Sequence, residues 1–197
     1  MRLLYSPLSP FARKVRVLAA EKGLSEQLTV ETIAPFQDES LRALNPLNKV
    51  PTLVLEGGET IFDSAVIADY IDGLAEPALI PRAQPERRRA LTLEAAADGL
   101  GDAAILIVRE RMRPEAQHRQ DLFDRQLRAV NAALDLFEAA DLPSDRFGIA
   151  EIAIAVQLAY LDVRQVVAWR PGRPALSAWY EAVSKRTSMI ATDASAT

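Results

Sequence analysis

The hydrophobic pattern of this chain changes character at about residue 75, and that change limits the folds open to it. Before this point, short apolar runs typical of strands alternate with helical patterns in the order β-α-β, connecting helix, β-β-α. After a proline-containing stretch the pattern is helical only. The sequence therefore predicts an α/β domain over residues 1–75, a linker over 76–84 and an all-α helical bundle over 85–197.

Local signals place the elements within each half. The second strand is predicted over 28–33, and the strands of a β-hairpin flank Gly57 and Gly58, because glycines supply the positive φ angles of a tight turn. Residues 149–169 are apolar on nearly every side for four turns, which indicates a helix at the centre of the bundle. The other predicted helices cover residues 10–23, 39–44, 64–73, 85–113, 123–137 and 174–185.

Composition excludes several kinds of chemistry. The 197 residues include no cysteine, so disulfides, thiolate metal sites and a cysteine nucleophile are excluded, and any reactive thiol must come from a substrate. The single histidine, His118, lies in a polar stretch and predicts no metal site. A net charge of −4 does not favour a nucleic-acid partner. Without a signal sequence or membrane-spanning run, the chain is predicted to be soluble and cytoplasmic, with no membrane partner.

Ser9 stands where the first strand passes into the first helix. It precedes Pro10, and Phe11, Val15 and Leu18 follow at helical spacing. Ser9 is therefore predicted as the N-cap, with proline at the first helical position, a role worth about 1 kcal/mol. A hydroxyl at a helix N-terminus is also placed to hold an anion such as a thiolate.

Two later segments allow a structural and a functional interpretation in the same way. Pro51 begins the third strand and marks an edge or a turn, and base rates favour a trans bond before it. The functional alternative is that the turn exposes the backbone of Val50 to an extended ligand, which would pair with it as an added strand. Ser64 is predicted as an N-cap with Asp63 beside it, and the same helix end can hold a ligand carboxylate.

In this order, the three segments resemble the soluble glutathione transferase family, as a bacterial serine-type member. The resemblance extends over essentially the whole chain. It implies a thioredoxin-like N-terminal domain followed by a helical bundle, and usually a homodimer. The motifs that carry it are Ser9-Pro10-Phe11-Ala12-Arg13-Lys14, Asn45-Pro46-Leu47-Asn48-Lys49-Val50-Pro51 and Asp63-Ser64-Ala65-Val66-Ile67.

The resemblance also implies a binding role for each motif, with glutathione as co-substrate and no metal. The Val50–Pro51 bond should be cis, with the Val50 backbone pairing with the cysteinyl part of the tripeptide. Asp63 should face the γ-glutamyl ammonium group and Ser64 its carboxylate, while Lys49 is placed to reach the glycyl carboxylate. Ser9 is then the catalytic residue that faces the sulfur.

Serine at this position has chemical consequences, because omega-like members of the family carry a cysteine there. Ser9 cannot form a mixed disulfide, because it has no sulfur. Its hydroxyl can still donate a hydrogen bond to a thiolate and lower the thiol pKa. Tyr5 and Ser6 are the alternatives for the sulfur contact. Tyr5 lies within the first strand, and Ser6 precedes Pro7 and is better placed to shape the turn.

The implied function is a transferase of the alkyl or aryl type, in which the thiolate attacks a small hydrophobic electrophile, with detoxification as the general role. The electrophile is expected between the domains. The alternatives are a glutathione-dependent peroxidase, isomerase or lyase, and a non-catalytic glutathione-binding or interaction protein. The resemblance leaves open whether Asp98 contacts glutathione of a partner subunit. The second-substrate pocket is expected to include Leu8, Phe11, Ile105, Arg109 and Met112.

Overall fold

The computed structural model describes residues 1–34 and 38–193, and it divides into two compact units. One unit comprises Met1–Gln84 together with the segment that begins at Thr187, and the other comprises Pro85–Arg186. The first boundary between the units therefore lies between residues 84 and 85. Within the described ranges, none of the helices combines the length and apolar character needed to cross a membrane.

The first unit is built on a four-stranded mixed sheet in the order β2-β1-β3-β4. β1 pairs in parallel with β2 across the helix α1, and β3 runs antiparallel to both β1 and β4. This is the predicted thioredoxin-like arrangement, with apolar residues of β1, α1 and α2 buried between sheet and helices. The elements are β1 Arg2–Tyr5, α1 Pro10–Glu21, β2 Thr29–Thr32, β3 Thr52–Val54, β4 Thr60–Ile61 and α2 Ser64–Asp72, with short 3-10 helices at Ser25–Gln27 and Glu39–Ala43.

Turn residues end these elements where the sequence predicts. Gly23 follows α1 with a φ of +69°, a left-handed conformation that glycine adopts without steric cost. Gly58 has a φ of +85° in the hairpin between β3 and β4, where the Leu55 amide donates to the Glu59 carbonyl at 2.9 Å. Asp38 caps the second 3-10 helix by accepting from the Ser40 amide at 2.8 Å.

The second unit contains four principal helices, α3 Glu86–Arg111, α4 Gln120–Ala139, α5 Ile149–Val163 and α6 Pro174–Val183. α5 is the predicted central helix and packs against α3, and twelve of its fifteen residues are buried. At its start, the Gly148 amide donates to Glu151 Oε2 at 2.9 Å, so one half of a capping box is present although Gly148 has no side chain.

α5 is shorter than the sequence predicted, because it ends at Val163 and not near residue 169. Gln165 takes a φ of +48°, which turns the chain away from the helix axis. The following segment folds back on α5, where Asp162 accepts from the Trp169 indole at 2.8 Å and from both terminal nitrogens of Arg170 at 2.7 and 2.8 Å. These contacts replace the helical hydrogen bonds that the apolar pattern predicted.

The last described helix, α7 Thr187–Ala191, groups with the first unit, although the sequence assigned it to the helical domain. It packs against α1. Arg13 of α1 is buried and donates to the Met189 carbonyl at 2.9 Å, and the Ser188 hydroxyl donates to Glu21. Residues 194–197, the end of the predicted second domain, lie outside the described residues.

A buried ion pair holds the segment after α2 against the first unit. The side chain of Lys22 is 0% exposed, and its Nζ donates to Asp72 Oδ1 at 3.0 Å and to the Asp72 carbonyl at 2.9 Å. The same ammonium donates to the carbonyls of Ala75 and Pro77. Asp72 in turn accepts from two backbone amides, those of Leu79 at 2.7 Å and Ile80 at 3.2 Å. The start of the linker is therefore tied to α1 and α2.

Candidate functional site

The sheet topology brings three predicted site segments to one edge. Leu4, near the end of β1, pairs with Thr52 at the start of antiparallel β3. Leu53 pairs with Ile61, so β4 ends where β3 begins. The loop that leads to Ser9, the segment before β3 and the segment after β4 therefore leave the sheet at the same edge. Residues separated by more than fifty positions in the sequence are thus gathered by strand direction alone.

Ser9 is the N-cap of α1, as predicted. Its backbone is extended, with φ −78° and ψ 115°, and its Oγ accepts a hydrogen bond from the Ala12 amide at 3.2 Å. In the part of the chain that the structure describes, the Ser9 hydroxyl proton has no acceptor. A hydroxyl has one donor and two acceptor sites, so Ser9 can cap the helix and donate outward at the same time.

The Val50–Pro51 bond is cis, as the family resemblance implies and against the base rate for prolines. Val50 lies just before β3 and is partly exposed. Neither its N–H nor its carbonyl has a hydrogen-bond partner among residues 1–34 and 38–193. A peptide backbone of this kind, open at the end of a strand, can pair with an extended ligand.

Asn45 organises the loop before Val50, a role that sequence reasoning missed. Its side chain is buried, with Nδ2 donating to the Lys49 carbonyl and to Thr52 Oγ1, both at 3.0 Å. Its Oδ1 accepts from the Leu47 amide, also at 3.0 Å. The signal available in the sequence was an asparagine before a proline, which is typical of a turn but does not reveal long-range partners.

The N-cap of α2 is Asp63 and not Ser64, so the predicted cap is corrected by one residue. Asp63 is extended, with φ −86°, and its Oδ1 accepts from the Ala65 amide at 3.1 Å. Its second carboxylate oxygen has no partner within the described ranges, and the residue is exposed. Ser64 is already the first residue of the helix and is buried. With Asp63 as the N-cap, an exposed carboxylate lies beside the amides at the N-terminus of α2.

The remaining predicted residues divide between the two units. In the first unit, Lys49 and Leu8 are exposed and Phe11 is partly buried. In the second unit, Ile105 and Arg109 lie on α3, and Met112 follows its last residue.

Tyr5, the alternative to Ser9 for the sulfur contact, and the single histidine His118 both contact other side chains. Tyr5 ends β1, and the Arg16 guanidinium lies 5.0 Å from its ring centroid. His118 contacts the Arg113 carbonyl through Nε2 at 2.9 Å and stacks edge-to-face on Phe123. Across residues 1–34 and 38–193, no group of three or more acidic or histidine side chains is arranged to hold a metal ion.

Comparison with known proteins identifies the family. The model of the glutathione S-transferase N-terminal domain matches residues 8–74, and that of the C-terminal domain matches residues 120–182. The uncharacterized GST-like protein YibF of Escherichia coli K12 is 40% identical over 200 residues, which cover 98% of each chain.

Solved structures of relatives agree over the whole chain. A glutathione transferase family member from Pseudomonas fluorescens Pf-5, solved with bound glutathione, is 39% identical with a TM-score of 0.93 and 97% coverage of both chains. Its structure with S-(propanoic acid)-glutathione gives a TM-score of 0.89, at 37% identity and 98% coverage of both chains. A glutathione S-transferase from Methylobacillus flagellatus KT, with glutathione bound, is 35% identical with a TM-score of 0.85, covering 97% of this chain and 98% of that one. The chain belongs to the glutathione transferase family.

Proposed function

We propose that this protein is a glutathione transferase in which Ser9 stabilises the thiolate of bound glutathione for attack on an electrophilic carbon. The observation that carries the proposal is the arrangement at one sheet edge. There lie an exposed helix-cap carboxylate together with a hydroxyl proton and a strand backbone that have no hydrogen-bond partner among residues 1–34 and 38–193. Each group matches a different part of the tripeptide.

Glutathione would bind across this edge in an extended conformation. The Val50 backbone pairs with its cysteinyl residue as an added strand, with Pro51 fixing the turn. Asp63 accepts from the γ-glutamyl ammonium group, while Ser64 and the amides at the start of α2 donate to the neighbouring carboxylate. Lys49 is exposed and of the right charge for the glycyl carboxylate. These contacts hold the sulfur opposite Ser9.

The reaction follows from an ionised sulfur at a helix N-terminus. A free cysteine thiol has a pKa of about 8.5, and a hydrogen bond from Ser9 together with the positive end of α1 lowers it. The sulfur then forms a bond to the electrophilic carbon, and in a substitution the leaving group departs with the bonding pair. The ligand S-(propanoic acid)-glutathione of the Pseudomonas fluorescens relative, in which the sulfur carries a carbon substituent, supports transfer to carbon.

Calorimetric titration with glutathione, followed by a turnover assay with chlorodinitrobenzene, tests the proposal. We expect one glutathione site per chain and glutathione-dependent turnover. Binding without turnover on chlorodinitrobenzene or on a panel of peroxides, epoxides and aryl ethers would contradict the transferase assignment and favour a glutathione-binding protein. Absence of binding would contradict the whole proposal.

The Asn45→Asp variant tests whether the loop before Val50 forms part of the glutathione site. Aspartate keeps the oxygen that accepts from Leu47 but removes both donated hydrogen bonds, to Lys49 and Thr52. We expect glutathione affinity to fall about tenfold, because a carboxylate facing the Lys49 carbonyl displaces the Val50 backbone. Titration calorimetry measures the change. The control is Asn131→Asp on α4, whose amide donates only to the Leu127 carbonyl one turn away. Equal glutathione affinities for Asn45→Asp and Asn131→Asp would show that Asn45 does not contribute to the glutathione site.

The family resemblance further favours a cytoplasmic homodimer with a role in detoxification. Val66, on α2, is 53% exposed although apolar, as an interface residue would be in an isolated chain. Sedimentation of the protein with glutathione measures the oligomeric state. The second substrate is proposed to contact Leu8 and Phe11, which lie close along the chain to Ser9.

A further inference from the structure

Hydrogen bonds fix Ser9 at the start of α1. Its amide donates to the Ser6 carbonyl at 2.9 Å, and its carbonyl accepts from the Arg13 amide at 3.0 Å. Its Oγ accepts from the Ala12 amide at 3.2 Å. Because Ala12 and Arg13 belong to the first turn of the helix, the direction of the Ser9 hydroxyl depends on where that turn lies.

The side chain of Arg13 ties this first turn to the segment around α7. Arg13 is only 8% exposed. Its Nη2 donates to the Met189 carbonyl at 2.9 Å, and its Nε donates to the Thr192 hydroxyl at 3.4 Å. Thr192 in turn donates to the Ser188 carbonyl at 2.8 Å, and both acceptor residues of Arg13 are buried. We name Arg13, Met189 and Thr192 the α1–α7 anchor.

The anchor lies at the end of α1 that carries Ser9. A second contact between the two helices lies at the opposite end, where the Ser188 hydroxyl donates to Glu21, the last residue of α1. Eight residues separate Arg13 from Glu21, which corresponds to about 12 Å along a helix axis. Of these two contacts, that of Arg13 lies in the turn that Ser9 caps. The Ser188 contact therefore offers a comparison on the same pair of helices.

A helix start needs such an anchor if it is to hold a reacting group. The first turn frays most easily, because its amides have no acceptor within the helix. Pro10 and Ala12, which are also buried in this turn, offer only small apolar side chains. The planar guanidinium, by contrast, donates in fixed directions to two different residues, which restricts both translation and rotation of the turn. A displacement of about 1 Å at a reacting group can lower a rate about 100-fold.

We propose that Arg13 is a positioning residue, whose bonds to Met189 and Thr192 hold the first turn of α1 so that the Ser9 hydroxyl meets the glutathione sulfur. This inference rests on the proposed transferase function, and it extends the glutathione site to a segment beyond residue 186. Arg13 acts through Ser9 and contacts neither glutathione nor the electrophile.

The Arg13→Met variant tests the assignment, because methionine keeps much of the length and removes every donor. We expect kcat with chlorodinitrobenzene to fall about tenfold, while glutathione affinity stays within about twofold, since Val50, Asp63 and Ser64 lie on other segments. The rise of kcat/KM with pH should move to higher pH, because a displaced hydroxyl stabilises the thiolate less. Arg13→Lys keeps the charge and a donor and should recover part of the loss.

A double-mutant cycle separates positioning of Ser9 from a general loss of structure. Arg13→Met is introduced into a chain that already carries Ser9→Ala. If Arg13 acts through the Ser9 hydroxyl, the added substitution should change kcat less than about twofold in that background, against about tenfold in the wild type. A general loss of structure lowers kcat by the same factor in both backgrounds.

Two variants on the α7 side complete the test. Thr192→Val removes the hydroxyl that accepts from Arg13 with little change in volume, and it should lower kcat about threefold even if Arg13→Met does not fold. Ser188→Ala removes the contact at Glu21 and should leave kcat and the pH profile unchanged.

The outcomes distinguish this inference from the function on which it rests. Wild-type kcat and pH profile in both Thr192→Val and a folded Arg13→Met overturn the role of the anchor, as does an equal loss in the two backgrounds of the cycle. A wild type that does not bind glutathione, or whose turnover is insensitive to Ser9→Ala, contradicts the proposed function and this inference together.

Discussion

Replacement of Ser9 by alanine is expected to lower kcat/KM with chlorodinitrobenzene by about 10- to 100-fold. A hydrogen bond to a charged group contributes about 1.5–3 kcal/mol, and each 1.4 kcal/mol corresponds to a factor of ten. The Ser9 hydroxyl is positioned for this bond because its acceptor function is used by Ala12 while its proton is uncommitted within the described chain. Glutathione affinity should fall less, because Val50, Asp63 and Ser64 are untouched.

The loss of kcat/KM in Ser9→Ala should depend on pH. With Ser9 present, the bound thiol ionises below about 8.5, so that turnover is already high near neutral pH. Without the hydroxyl, the thiol pKa moves back toward that value. The rise of kcat/KM with pH should therefore shift to higher pH in Ser9→Ala, and the two enzymes should approach one another under alkaline conditions. A pH profile from weakly acidic to alkaline buffers measures the shift.

Two variants exclude simpler explanations of such a loss. Ser9→Thr retains both a hydroxyl and a capping oxygen and should preserve most of the activity. Ser6→Ala changes a neighbouring serine whose carbonyl, and not its side chain, accepts from the Ser9 amide, and it should leave activity unchanged. Loss of the cap alone costs about 1 kcal/mol of stability, which a thermal melt reports separately. If Ser9→Ala keeps the wild-type pH profile, the hydroxyl does not hold the sulfur, and Tyr5→Phe becomes the next variant to test.

The parts of the fold that could be predicted are those whose signals are local. Ser9 and Pro10 begin α1, Gly23 follows its end, and Gly58 turns the hairpin, because caps and positive φ angles depend on a few adjacent residues. The change from alternating to helix-only patterns likewise indicated both domains. The cis bond before Pro51 could not be predicted from adjacent residues. Base rates opposed it, and only the family resemblance implied it.

The errors occur where distant contacts decide the outcome. The helix predicted to reach residue 169 ends at Val163, because Asp162 binds the returning chain at Trp169 and Arg170. N-cap preference alone could not decide between Asp63 and Ser64, since aspartate and serine are both good N-cap residues. In the structure Asp63 is exposed and caps the helix through its side chain, while Ser64 is buried as the first residue of α2.

The site shows the same division between motif and environment. The residues proposed to contact glutathione were visible as short motifs before any geometry was known. Asn45, which positions one of those motifs, was not singled out as a functional residue. Its partners are fixed by tertiary folding, and an isolated asparagine carries no specific signal of its own.

Replacement of Lys22 by methionine is the second large effect that the structure predicts, on stability and not on chemistry. Methionine fills much of the lysine volume but leaves Asp72 charged, buried and without its cation, while the carbonyls of Ala75 and Pro77 lose a donor. Breaking a buried ion pair on one side costs about 3–5 kcal/mol. For a chain of this size, we expect the melting temperature to fall by about 10 °C.

The neighbouring ion pair between Arg82 and Glu76 provides a matched control, because its side chains are 68% and 72% exposed. Arg82→Gln should change stability by less than about 1 kcal/mol, the ordinary value of a surface pair. Lys22→Met combined with Asp72→Asn should be less destabilised than the sum of the single variants, since the unpaired charge is then absent. Urea unfolding of the wild type, Lys22→Met, Asp72→Asn, the double variant and Arg82→Gln measures these differences. Because Lys22 ties the segment after α2 to the first unit, trypsin should also cleave faster after Arg82 in Lys22→Met. Equal and small losses in Lys22→Met and Arg82→Gln would show that burial adds nothing to this pair and that other contacts hold the segment.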